Sequence, residues 1–183
     1  HITTYLQGGA GRVIKDIVTR QKKNGNNVFV VTTNSEEPGY YNYKEYIDYF
    51  KNENIKCFKI DSTFKRDIYL NLNVAVDVKK IIVNEDIDII HTHAAVPSMI
   101  GIIARAGMKK YIPVIQTMHG WGTNKRLQHE KMDKTILNSV DKIISVSKSD
   151  KNLMISKGIL KDKIVTIYNG IEENICFSYS DND

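Results

Sequence analysis

The chain has 183 residues, of which 42% are hydrophobic and 26% charged, with a net charge of +5 and a pI near 9.0. This length suits one domain with its own core, and the composition excludes a disordered or low-complexity protein. Basic residues are spread among acidic ones without a dense run, which excludes a nucleic-acid-binding surface. The excess positive charge then belongs either to an ordinary solvated surface or to a surface that contacts an anionic ligand or a membrane.

The two cysteines, Cys57 and Cys176, form no metal or redox motif, which favours a reducing cytoplasm without a disulfide framework. No signal peptide is visible. The apolar stretch at residues 94–104 is far shorter than the roughly 20 residues that span a bilayer, so we expect any membrane contact to be peripheral. The chain opens on His1 in strand-like sequence, and we expect that a segment once preceded it.

Strand-like and helix-like segments alternate along the chain. The strand-like segments are the opening residues and residues 28–33, 55–60, 87–92, 112–118, 142–147 and 163–167. The main helical patterns cover residues 12–24, 68–83, 96–106 and 147–158. This alternation predicts an α/β fold, a Rossmann-like doubly wound parallel sheet of about seven strands with helices on both faces. The first and fourth strands are expected to flank the switch point where such sheets bind ligands.

A glycine-rich segment, Gly8-Gly9-Ala10-Gly11-Arg12, joins the first predicted strand to the first predicted helix. Glycines let backbone amides approach a phosphate, and a helix N-terminus favours an anion; the alternative is a tight turn. The dinucleotide fingerprint fails here, because Ile14 occupies its third glycine position and Asn34 stands where a ribose-binding acid is expected. We therefore predict no nicotinamide or flavin cofactor.

Three of the five histidines stand where two predicted strands end: His91, His93 and His119. His91 and His93 are two residues apart, so their side chains point to one face of the sheet. Gly120 follows His119 and admits a close ligand, to which the imidazole can hydrogen-bond. Three interpretations stay open: a three-histidine zinc site, a structural role for His91, and polar recognition of a sugar or phosphate.

Three further residues follow predicted strands at the same edge of the sheet. Trp121 is either a stacking platform for a sugar ring or part of the core. Ser147 and Asp150 form a pattern typical of a helix start. Asn169, with the glycine after it, is either a turn or part of the binding cleft.

These motifs, in this order, resemble the N-terminal domain of the group 1 (family 4) glycosyltransferases of GT-B fold. The matching segments are Gly8 to Arg12, Ile87 to His93, Pro113 to Gly120, Ile143 to Ser147 and Ile164 to Glu172. The resemblance covers nearly the whole chain.

The resemblance implies a retaining hexosyltransferase. Such enzymes transfer a sugar from a nucleotide-sugar, commonly a UDP-sugar, to an acceptor hydroxyl in polysaccharide, lipid-linked glycan or glycolipid synthesis. The leaving diphosphate takes the acceptor proton, so neither a metal, a cofactor nor a protein nucleophile is implied. The implied roles are catalysis at the sugar for His119, donor phosphate binding for Gly8, Gly9 and Gly120, the acceptor side for His93 and Arg12, and further cleft positions for His91, Trp121, Ser147 and Asn169.

The resemblance also implies a domain division. Residues 1–170 correspond to the acceptor-side domain, residues 171–183 to a linker or tail, and the donor-binding C-terminal domain is absent, so we expect this chain to be inactive alone. The resemblance further implies a bacterial, cytoplasmic enzyme that contacts the membrane peripherally. Two alternatives remain: part of a GT-B-like nucleotide-sugar epimerase, which needs a carboxylate acid/base, and a sugar- or phosphate-binding module without turnover.

Overall fold

The computed structural model describes residues 1–62, 64–122 and 125–170. Within these ranges the helices are α1 (Gly8–Lys23), α2 (Lys44–Asn52), α3 (Ile68–Asn84), α4 (Ala95–Arg105), α5 (Leu127–Ser139) and α6 (Lys148–Ser156). The strands are β1 (Phe29–Thr33), β2 (Lys56–Ile60), β3 (Ile90–Thr92), β4 (Val114–Met118), β5 (Lys142–Ser145) and β6 (Ile164–Thr166). The predicted linker at 171–183 lies outside the described residues. Among the described helices, none combines the length and the apolar character that crossing a bilayer requires.

All the strand pairs are parallel, β1 with β2 and β3 to β6 in chain order. The opening segment joins the two parts, because Ile2 bridges Val31 on one side and Thr92 on the other. The Ile2 amide donates to the His91 carbonyl at 2.8 Å, and the Ile2 carbonyl accepts from the His93 amide at 3.0 Å. The resulting order, β2-β1-opening segment-β3-β4-β5-β6, confirms the doubly wound α/β fold. The described residues form six strands plus this bridged segment, where the sequence predicted about seven strands.

Two apolar clusters hold the helices to the two faces of the sheet. One combines Ile14 and Val18 of α1 with Val30 of β1 and Phe50 of α2. The larger cluster draws on α3, α4, α5 and α6. Helix α4 is the buried helix that the apolar sequence predicts, with Ile100 and Ala104 inaccessible to solvent or nearly so. Burial of this kind stabilises by roughly 1.5–3 kcal/mol for each large side chain.

The glycine-rich segment differs from its prediction, because α1 begins at Gly8 and not at Arg12. The segment is therefore the first turn of a helix and not a loop before one. Gly11 permits this start: a Cβ at that position would lie 2.8 Å from the Tyr46 ring and 2.9 Å from the backbone of Leu6. The amides expected to approach a phosphate are thus the unpaired donors of a helix N-terminus.

Candidate functional site at the carboxyl edge of the sheet

The predicted histidines converge at the carboxyl ends of β3 and β4. His91 lies in β3, His93 follows that strand, and His119 follows β4. The rings of His91 and His93 stack with centroids 4.6 Å apart, which confirms that they share a face of the sheet. Gly120 has a φ of +139°, a conformation that a residue with a Cβ rarely adopts, so glycine keeps the turn after His119 in place.

Three histidines and a glutamine form one continuous row of hydrogen bonds, here called the histidine relay. His119 Nε2 lies 3.0 Å from His93 Nδ1, and His93 Nε2 lies 3.0 Å from His1 Nδ1. The row ends where His1 Nε2 lies 2.7 Å from Gln21 Oε1 on α1. His91 stands beside the relay and bonds through Nε2 to the Thr117 hydroxyl at 2.7 Å.

His1 and Gln21 were not among the predicted site residues. A signal for His1 was available, because the predicted switch point puts the opening strand beside the strand that carries His91 and His93. In the observed register Ile2 bridges Thr92, which brings His1 next to both of these histidines. Gln21 gave no comparable signal, since its contact depends on how α1 lies across the sheet.

The imidazoles of His91, His93 and His119 are neutral near pH 7, because the pKa of each lies below its ordinary value. Burial lowers the pKa of His91 to about 4 and that of His93 well below its ordinary value. Burial also lowers the pKa of His119. A neutral imidazole offers one N–H donor and one lone-pair acceptor, so each ring can bond to a neighbour on either side.

A metal site at these histidines was one of the sequence alternatives, with His91, His93 and His119 as ligands. In the structure the ring nitrogens that come together within 4.8 Å belong to His1, His91 and His93. Both nitrogens of His93 already bond to other imidazoles. A cation at this position would have to replace those hydrogen bonds.

A cleft of about 1040 Å³ runs between α1 and one face of the sheet. Of the predicted site residues, Arg12, His91 and Asn169 line it, whereas Gly8, Gly9, His119 and Gly120 do not. Most of the cleft wall is apolar and includes Ile144 and Ile167. The cleft lies more along the face of the sheet than at its carboxyl edge. We therefore place the candidate site at the strand ends beside the cleft, where parallel sheets bind their ligands.

Trp121 and Ser147 have structural partners. Trp121 is 4% exposed within the larger apolar cluster, and Lys125 Nζ covers its ring at 4.2 Å, so of the two alternatives the structure shows the core residue. Ser147 caps α6: its hydroxyl accepts from the Asp150 amide at 3.0 Å and donates to the Asp150 carboxylate at 2.8 Å. Asp150 also accepts from the Trp121 amide at 3.4 Å, which ties α6 to the turn after His119.

The buried histidines make stability depend on pH. Because the folded state lowers the pKa of His91 from 6.5 to about 4, the unfolded chain binds more protons within that interval. We expect the free energy of unfolding to fall as pH decreases from about 6.5 to 4, with about 3 kcal/mol due to His91 alone. Urea unfolding between pH 8 and pH 4 measures this loss.

The matched variants for this experiment are His91→Asn and His129→Ala. The first removes one of the buried rings whose pKa is lowered and is expected to make the pH profile less steep, whereas the second changes a histidine of α5 outside the relay and is expected to preserve it. A profile equally steep in His91→Asn and the parent protein would contradict the assignment.

The parallel sheet, the helices on both of its faces and the polar carboxyl edge define a Rossmann-like domain of the kind found in GT-B enzymes. A family model described as Glycosyltransferase Family 4 matches residues 7–174. The chain therefore belongs to glycosyltransferase family 4 and represents its N-terminal GT-B domain, which confirms the resemblance seen in the sequence motifs.

Individual relatives agree with this assignment. An uncharacterized glycosyltransferase of Methanocaldococcus jannaschii, MJ1178, is 35% identical over 107 residues, which are 56% of this chain and 29% of that protein. A glycosyltransferase structure from Rickettsia africae has a TM-score of 0.72 at 21% identity and covers 93% of this chain and 43% of its own. Anabaena Alr3699/HepE in complex with UDP-glucose has a TM-score of 0.69 at 16% identity, covering 93% and 44%.

The same fold occurs in a UDP-N-acetylglucosamine 2-epimerase from Rickettsia bellii, with a TM-score of 0.62, 13% identity and coverage of 92% and 44%. At these identities the solved structures show a shared fold. The chain spans less than half the length of each of these relatives.

Proposed function

We propose that this chain is the acceptor-side domain of a retaining glycosyltransferase that moves a hexose from a UDP-sugar to an acceptor hydroxyl. The observation that carries the proposal is the position of His119, which directly follows β4 at the carboxyl edge of a family 4 domain. The complex of the Anabaena protein with UDP-glucose supports the class of donor. The products are polysaccharide, lipid-linked glycan or glycolipid.

The residue roles follow from this placement. His119 hydrogen-bonds the transferred sugar, and the start of α1 at Gly8 and Gly9 lies close to the donor diphosphate, since helix N-terminal amides favour anions. Arg12 is on the same helix, lines the cleft, and contributes to the acceptor side. A direct contact of His93 with the acceptor stays a prediction, since the residue is 7% exposed and its imidazole is held between two others.

The proposed enzyme works in the cytoplasm with peripheral contact at the membrane, where a lipid-linked acceptor is held. The net charge of +5 supports this location, as do the basic pairs at residues 22–23, 109–110 and 125–126. Transfer requires a donor-binding partner domain, so the 183-residue chain alone is expected to show no turnover.

The test uses the full-length protein that contains this chain, with UDP-glucose, UDP-galactose or UDP-N-acetylglucosamine and a glycan or lipid-linked acceptor. We expect acceptor-dependent release of UDP, with the anomeric configuration of the donor retained in the product, as read by NMR. A second nucleotide-sugar formed without acceptor would instead identify an epimerase. Saturable binding of UDP-sugar without any turnover would identify a binding module.

A further inference from the structure

The histidine relay is a chain of nearly collinear hydrogen bonds. The ring centroids of His1 and His93 lie 5.3 Å apart, as do those of His93 and His119, with interplanar angles of 17° and 22°. The two bonded nitrogens of each pair are 3.0 Å apart. The longer distance between the centroids is accounted for by half a ring on each side, which requires both nitrogens to lie on the line between the centroids. The rings therefore meet edge to edge, nitrogen to nitrogen, and the direction of one hydrogen bond fixes the direction of the next.

The end of the relay at α1 sets that direction. The amide oxygen of Gln21 accepts hydrogen bonds and donates none, so His1 donates to it from Nε2. With the single ring proton of His1 on Nε2, its Nδ1 atom carries a lone pair and accepts from His93 Nε2. By the same rule His93 Nδ1 accepts from His119 Nε2, and His119 is left with a lone pair on Nδ1.

This Nδ1 atom is the end of the relay at the proposed sugar site. Among the described residues nothing hydrogen-bonds to it, and it is not one of the buried polar atoms without a partner. It is therefore available to a ligand, as an acceptor. A sugar hydroxyl can donate to it, whereas an ionised phosphate oxygen cannot.

We propose that Gln21 is a positioning residue that acts through His1 and His93 to hold His119 in the Nε2–H tautomer. His119 then presents only an acceptor and selects a ligand that offers a hydroxyl donor. The inference deepens the proposed function and rests on it for the identity of the ligand. The tautomer itself depends on the fold alone.

The tautomers are measured by long-range proton–nitrogen correlation spectra of histidine-labelled protein at pH 8, which also show whether each ring carries one proton or two. We expect His1, His93 and His119 all to be Nε2–H, with scalar couplings between the bonded nitrogens across both histidine–histidine hydrogen bonds. A wild-type His119 that carries its proton on Nδ1 would overturn the proposal.

Substitutions of Gln21, at the α1 end of the relay, test whether this residue controls the tautomer of His119. Gln21→Glu keeps an acceptor and is expected to keep the Nε2–H pattern. Gln21→Lys supplies a donor and is expected to shift His119 to Nδ1–H. Gln21→Leu supplies neither and is expected to give a mixture of both forms. The control is Lys23→Leu on an exposed position of the same helix, with an unchanged spectrum expected.

An unchanged His119 tautomer in both Gln21→Lys and Gln21→Leu would overturn the control assigned to Gln21. The spectra need no turnover, so they decide the relay even if the protein transfers no sugar. In an active full-length enzyme, Gln21→Lys is expected to lower affinity for the donor sugar at least tenfold, with recovery in Gln21→Glu. Full affinity in Gln21→Lys despite a reversed tautomer would overturn the role in ligand selection.

Discussion

Replacing His119 by alanine is expected to lower the rate of sugar transfer by the full-length protein by about 100-fold or more, the usual effect of removing a preorganised hydrogen bond at a reacting centre. The variant also leaves the Nδ1 atom of the buried His93 without its partner, so a loss of about 1–3 kcal/mol of folding free energy is expected beside the loss of rate. Initial rates of UDP release, measured with saturating donor and acceptor, give the effect.

The control is His129→Ala, which removes the histidine of α5 that lies outside the relay. Its transfer rate should match that of the parent protein. Transfer at the parent rate by His119→Ala, in a protein that folds normally, would remove His119 from the proposed site. A loss of rate shared equally by both variants would point to a general effect on the fold.

Replacing Asp133 by alanine is expected to cost about 3 kcal/mol of folding free energy, the lower end of the range for breaking a buried ion pair. Asp133 is 1% exposed, and Arg66 donates to both of its oxygens at 2.9 Å. Lys125 donates to the same carboxylate at 2.8 Å while it covers Trp121. Both cations keep partial access to water, which limits the cost of leaving them without their partner.

The expected fall in melting temperature is roughly 6–12 °C for a chain of this size. Asp77→Ala is the matched control, because Asp77 pairs with Lys80 on the exposed surface of α3 and such pairs contribute little. Its melting temperature should stay close to that of the parent protein. If Asp133→Ala melted at the same temperature as Asp77→Ala, the buried cluster would not contribute to stability as described.

The strands were readable from sequence because each is a short β-branched run between turn residues, and their predicted positions contain the observed ones. The ends of the elements were less accurate. Strand β3 covers Ile90–Thr92 where the apolar run begins at Ile87, and Ile89 is 55% exposed. Helix α1 extends back through three glycines, although glycine disfavours a helix, and at Gly11 packing against Tyr46 requires a small residue.

The residues of the candidate site that stand at strand ends were predictable from sequence. Contacts between residues far apart in the chain were not. His91 lies in β3, and His93 and His119 directly follow β3 and β4, so the edge of the sheet brings the three together. The contact of His1 with Gln21 depends on how α1 lies across the sheet. The contact of Arg66 with Asp133 joins residues 67 positions apart, a pairing that no local pattern records.

The order of the strands also bears on whether the edges of the sheet can pair with a second chain. Within the described residues β2 and β6 are the outer strands, and an outer strand offers unpaired backbone groups to other chains. β2 carries the exposed lysines Lys56 and Lys59, so a second β2 would bring like charges together. β6 has only three residues, too few for a long intermolecular ladder. The lysines of β2 and the short length of β6 thus both oppose edge-to-edge aggregation, and neither feature involves the residues of the site.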